Sequence, residues 1–182
     1  MGFNEPSDRD SRGGSVIIDC VHDHIHVGNS WHYPFYATAP DDGPTGILID
    51  LTNATKEAHI TFAPISVGGD MRIELWENTT HSNGTLQTPQ NRHRVKADAG
   101  LYPDFPPNEA EIWVPVFDGA DGSPMLTQIF VPGGALLITQ GGASSESNEW
   151  VLRPGVKYLV KVTNLAGNPQ PVSIGINWYE VD

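Results

Sequence analysis

The sequence predicts an all-β protein, an antiparallel two-sheet sandwich, and two observations carry that prediction. The first is strict apolar/polar alternation in the last quarter of the chain. Tyr158, Val160 and Val162 fall on one face of a strand, with Lys157, Leu159, Lys161 and Thr163 on the other. After a turn from Asn164 to Pro169, Val172, Ile174, Ile176 and Trp178 oppose Ser173, Gly175, Asn177 and Tyr179. A period of two sustained this far means strands with one face in a core. The second observation is that 19 Gly and 15 Pro are spread along 182 residues, which leaves room for short strands and many turns. No window of helical length shows apolar spacing of three and four. The two closing strands are expected to form an antiparallel pair.

The elements follow in order. Residues 1–14 are polar and charged with two adjacent glycines, which predicts a flexible or partner-ordered arm, and 15–182 a single β-sandwich domain. Val16 to Val27 reads as the first strand. Trp31 to Ala39 is a second, rich in aromatics, closed by the turn residues Pro40 to Pro44. Gly46 to Leu51 is short, with Ile47 and Ile49 facing one way. His59 to Val67 and Met71 to Glu77 flank Gly68-Gly69-Asp70, the signal of a hairpin. Regularity fades from Asn78 to Pro107, and a long irregular stretch in a compact domain points to a functional or partner-bound loop. Ile112 to Phe117, Met125 to Val131, Leu136 to Thr139 and Trp150 to Leu152 complete the set. Roughly nine to eleven short strands without an internal repeat are satisfied most simply by a jelly-roll type of sandwich.

The formal charge of −12 argues against a nucleic-acid or anionic-membrane binder, because phosphate contacts need a basic face. No run approaches the ~20 apolar residues of a membrane span. One basic patch stands out: Arg92, Arg94 and Lys96 place three of the ten basic residues within five positions, on one side of an extended segment. It reads either as a contact for an acidic partner surface or as a solvated face. A single cysteine, Cys20, excludes an intramolecular disulfide and fits a small core residue. The first residues lack the apolar stretch of a secretion signal, so the expected site of synthesis is a cytoplasm.

The one candidate for metal chemistry is His22, His24 and His26, which on a strand project from the same face. Two such imidazoles can share Zn²⁺ or a similar ion, given a third ligand from a neighbouring strand. The alternative is a histidine-lined subunit contact, with no cofactor and no catalytic residue. Nucleophile-elbow and phosphate-loop patterns are missing. Trp31, Tyr33, Phe35 and Tyr36 suit carbohydrate stacking, but alternate as a core strand does.

Several segments together resemble a known family. They are His22 to Trp31 (H-D-H-I-H-V-G-N-S-W), His59 to Glu77 with its G-G-D-M-R-I-E-L-W-E ending, Asn91-Arg92, Pro132-Gly133-Gly134, and the closing run from Glu149 to Glu180. They are similar to small tailed-bacteriophage virion proteins of the head decoration, or capsid cement, kind. The resemblance implies a structural protein without enzymatic activity, a homotrimer on the outer capsid surface of the virion, bound to the major capsid protein. On that reading Arg9 and Arg12 of the arm, with Arg92, Arg94 and Lys96, face the capsid, and the histidine face joins subunits. A fibre-associated, receptor- or glycan-binding module is the alternative, and a metal-dependent cupin-like protein the third.

Overall fold

The structure, a computed structural model, describes residues 24–25, 27–93, 108–131, 136–137 and 149–182. Twelve strands among them form two sheets, all paired antiparallel. The first sheet runs β10 (Trp150–Leu152), β3 (Glu57–Val67), β12 (Gln170–Val181), β1 (Ser30–Ala39), β6 (Gln90–Asn91), with β9 (Leu136–Leu137) also on β3. The second runs β5 (Ser82–Gln87), β7 (Glu111–Val116), β2 (Pro44–Asp50), β11 (Lys157–Asn164), β4 (Met71–Glu77), β8 (Ser123–Val131). One apolar cluster lies between them. Trp31 and Phe35 of β1 and Ile174, Ile176 and Trp178 of β12 meet Ile47 and Ile49 of β2, Ile73 and Leu75 of β4, and Tyr158, Val160 and Val162 of β11. The inward faces are those the alternation marks.

The pairing differs from the expectation. β11 and β12 lie in different sheets, and so do β3 and β4, so neither turn closes a hairpin. Among the described residues no two consecutive strands are hydrogen-bonded neighbours. The β3–β4 and β11–β12 turns, like the β1–β2 turn, instead carry the chain from one sheet to the other. The β1–β2, β3–β4 and β11–β12 crossovers meet at one end of the molecule, stitched together by polar bonds. Asn164, fully buried, donates through Nδ2 to the carbonyls of Ala39 (3.2 Å) and Asn168 (2.7 Å), while its Oδ1 accepts the Ala166 N–H (3.0 Å). The Gly68 N–H reaches the Pro171 carbonyl at 2.9 Å, and the Leu165 N–H reaches that of Asp70 at 2.8 Å. At Gly68 an added Cβ would stand 2.6 Å from Pro171 Cδ, so only glycine lets these two crossovers approach so closely.

The extended backbone expected over Val16 to Val27 does not run through His24 and Ile25, which form a helical turn. Gly28 ends it with φ of 79°, its N–H bonded to the Ile25 carbonyl at 3.2 Å, while the Asn29 N–H bonds to that of His24 at 2.9 Å. This pair of bonds is a Schellman helix end, in which the position of positive φ is usually a glycine. Residues 16–23 and His26 lie outside the described residues, as do Cys20 and the arm 1–14.

The stretch from Asn78 on is more regular than its composition suggests, holding β5 and β6. β5 is the edge strand of the second sheet, beside β7, and most of its residues are exposed. Its Asn83 side chain joins residues 118–121 in a polar cover over the outer face of that sheet. Leu48 and Leu159 point to that face, opposite Ile47, Ile49, Tyr158 and Val160, yet both are fully buried. Lys157 and Lys161 flank Leu159 on the same side, and each grips the cover. Lys157 Nζ donates to Asn83 Oδ1 (2.7 Å) and lies 3.5 Å from Asp50 Oδ2, and Lys161 Nζ donates to Asp121 Oδ2 (2.6 Å). His81, itself buried, locks residues 79–81 to 118–121. Its Nδ1 accepts the Gly119 N–H at 2.8 Å, which leaves the proton on Nε2 for Asp121 Oδ1 at 3.0 Å.

These anchors are sensitive to acid. Burial would raise the pKa of Asp50, but bonds from Thr52 and Asn83 and the charge of Lys157 outweigh it. Burial acts likewise on Asp121, outweighed by Lys161 and His81. Both carboxyls therefore sit below their ordinary value. A depressed folded pKa gives stabilisation that is complete above the ordinary Asp value of about 3.9 and fades as pH falls through the folded one. Below about pH 4, hydrogen exchange at Leu159 and residues 79–83 should quicken before exchange at the core amides of β12. Uniform loss of protection across both sheets would contradict the cover as a separately anchored unit.

Candidate functional site

The outer face of the first sheet gathers the chemistry. β12 is flanked by β3 and β1, so the register alone sets two transverse rows. In one, Tyr179 stands opposite His59 of β3 and Ser30 of β1, with Val151 of β10 beyond His59. In the next, Asn177 stands opposite Thr61 and His32, with Gln90 of β6 beyond His32.

The first row is an aromatic stack. The His24 ring lies on Tyr179 at 4.2 Å between centroids and 13° between planes, and His59 lies beside Tyr179 at 4.8 Å and 22°. Glu149 Oε1 is 2.8 Å from His59 Nδ1, and the Tyr179 hydroxyl is 3.2 Å from the same nitrogen. The carboxylate can only accept, so Nδ1 carries the proton it shares with Glu149. In the second row His32 Nδ1 is 3.0 Å from Asn177 Oδ1. With the amide oxygen accepting, the imidazole is fixed in one tautomer, which orients it.

Arg92 joins the two rows. β6 ends at Asn91, and Arg92 stands in a bend rather than in the extended segment expected for the basic patch. Its N–H bonds to the Ser30 carbonyl at 2.8 Å, and Nη1 reaches Ser30 Oγ at 3.4 Å. Asn91 holds the turn, donating to the Gly28 carbonyl at 2.6 Å and accepting the His93 N–H at 2.8 Å. Arg92 lines an open cleft of about 260 Å³ with His32, Gln90 and Asn91. On its other side it lines a narrower cleft with His59, Thr61, Asn177, Trp178 and Tyr179. Burial pulls its pKa below the ordinary guanidinium value, while leaving it charged near neutrality.

Of the residues the sequence singled out, the structure brings His24 and Arg92 onto this one face. His22, His26, Arg94, Lys96, Arg9 and Arg12 lie outside the described residues. Among the described residues no three His, Cys, Asp or Glu side chains stand together to hold a metal ion. His32, His59, Glu149, Asn177 and Tyr179 carried no sequence signal as a group, because four separate segments supply them and only the register unites them. The aromatic run divides as alternation predicts. Trp31 and Phe35 are buried and Tyr33 packs against the core, whereas Tyr36 projects outward with 74% of its surface exposed.

The arrangement offers flat stacked rings, oriented imidazoles and a half-buried cation, all on one strand-backed plane. Comparison with protein-family models, with curated proteins and with solved structures returned no match.

Proposed function

We propose that this chain is a non-enzymatic structural protein of a tailed-bacteriophage virion, decorating and stabilising the outer capsid shell, and that the outer face of its first sheet docks on protein. The observation that carries the reading is the convergence of His24 and Arg92 on that face, where His24 stacks on Tyr179 of the central strand and Arg92, anchored by its backbone to Ser30, shares a cleft with His59, Asn177 and Tyr179. A surface so braced gives up little side-chain entropy on docking. The resemblance to capsid cement proteins supplies the partner, the major capsid protein, and the homotrimer, whose threefold valency multiplies a modest contact into firm attachment.

The fold itself is proposed to be a jelly roll. The strand order supports it: β1-β12-β3-β10 in one sheet faces β2-β11-β4-β8 in the other, and within this set successive strands alternate between the sheets except β4 and β8, which pair with each other. β5, β6 and β7 form an insertion that extends both sheets. The glycan-binding alternative is favoured by one feature, the exposed Tyr36 on the same outer face. Saturable hits on a glycan array would establish it over decoration.

Deleting residues 1–14 tests the decoration reading in its simplest form. The shortened chain should keep its thermal melting curve and lose most of its occupancy on purified capsids. Full occupancy would overturn the arm's role as a capsid contact.

A further inference from the structure

Six of the ten basic residues lie among the described residues: Lys56, Arg72, Arg92, Arg153, Lys157 and Lys161. Five have a carboxylate within salt-bridge distance. Lys56 pairs with Asp182, Arg72 with Glu74, Arg153 with Glu77, Lys157 with Asp50 and Lys161 with Asp121. Among the described residues Arg92 alone has none, although the chain carries 22 acids to 10 bases. The omission is costly where it occurs. A half-buried guanidinium loses water on one side and, without a carboxylate, regains little of that loss. Among the described residues only one of its five N–H donors finds a side-chain partner, by a 3.4 Å bond to Ser30 Oγ. Both clefts that it lines sit on the face proposed to dock.

We propose that Arg92, with His32, Gln90 and Asn91 around it, is a receptor site for a carboxylate, and that its occupant is an Asp or Glu side chain of the protein surface on which this chain docks. The occupant's identity rests on the docking reading above, whereas the site does not. Charge argues for an acid, since the guanidinium fork matches a carboxylate in shape as well as sign. Size argues for a side chain: the larger cleft, at about 260 Å³, falls below the roughly 300–1,000 Å³ of pockets that enclose a whole small molecule. An acidic side chain fits such an open notch, and the rest of its own protein covers it.

The experiment uses the full chain, isotopically labelled, titrated with three probes. N-acetyl-glutamate amide carries one side-chain carboxylate, N-acetyl-glutamine amide is its neutral isostere, and glucuronate is an acidic sugar. The expected result is a saturable shift of the Arg92 Nε–H resonance and of the Gln90 and Asn91 side-chain amides with the glutamate probe, at about millimolar concentration as suits a single charge-assisted pair. The glutamine probe should produce no shift there, and Arg92→Gln should weaken the glutamate response by about tenfold or more while keeping the wild-type melting curve. No saturable shift, or equal response to the neutral isostere, overturns the carboxylate site. Tighter binding of glucuronate than of the glutamate probe overturns the protein side chain as occupant. Capsid binding of Arg92→Gln separates the two levels. Reduced occupancy supports the assignment, and unchanged occupancy with the probe site intact in the wild type overturns the docking role while leaving the site standing.

Discussion

Replacing Leu159 by alanine is expected to destabilise the protein as a core truncation does, by about 2–5 kcal/mol. Alternation alone places Leu159 on the water side of β11 between Lys157 and Lys161, where such a change would cost within about 0.5 kcal/mol. The structure makes it fully buried, between two lysines that bond to Asn83 and Asp121 of two separate segments. Its neighbours in register are Leu48 on one side and Trp76 on the other, and the row continues through Trp113 to Leu86. Leu86 is the internal control, because it stands in that row at the sheet edge with 55% of its surface exposed. Denaturant unfolding of Leu159→Ala and Leu86→Ala should therefore separate widely. Equal and small losses would show that no cover protects the outer face.

Glu180→Ala is expected to cost about 3 kcal/mol or more, since it strips the acceptor from three donors and each buried donor left without one costs roughly 1–3 kcal/mol. The carboxylate is 3% exposed and accepts the N–H groups of Glu109 (2.9 Å) and Ala110 (2.9 Å) and the Trp178 indole N–H (3.3 Å). It thereby ties the residues leading into β7 to the end of β12, fixing the last strand of the insertion. Burial raises its pKa above the ordinary 4.5, more than those three bonds lower it. The folded state then holds this proton more tightly than the unfolded one, so Glu180 subtracts stability as pH rises from about 4.5 through the folded value. Glu180→Gln keeps one acceptor oxygen and removes the charge, so it should cost less than alanine and flatten that decline. Chemical denaturation of the three proteins between pH 4 and 7 checks both statements. A glutamine variant as unstable as alanine, with the pH slope retained, would contradict them.

The sequence spoke clearly about faces and poorly about partners. Alternation located β1, β2, β4, β11 and β12 and assigned their inward residues, because burying one side of a strand leaves a period of two wherever it happens. The same signal is silent on which sheet a strand joins. Residues 68–70 and 164–169 have the composition of tight turns, and glycine and asparagine serve a crossover between sheets as well as a hairpin. What decides is the stitching of three crossovers around Asn164, and the contacts between crossovers join positions 95 to 125 residues apart. The His24 helical turn was hidden by a histidine repeat that fits a strand.

The candidate face was legible only in part. Arg92 was conspicuous through its basic neighbours and His24 through the repeat, but the reason they belong together is Tyr179, which alternation alone leaves on the polar side of β12. Its stacking on two imidazoles depends on the β12–β3 register and on a helical turn far upstream. His81 and Asp121 gave no signal because the segments holding them are polar throughout.

Titration of purified capsids lacking this chain, followed by sedimentation, tests the central claim most directly. Decoration predicts saturable binding at a stoichiometry fixed by the repeating sites of the shell, weakened by Arg92→Gln and by loss of residues 1–14. Occupancy confined to a single vertex or to tails, or no saturable binding to shells, would contradict it.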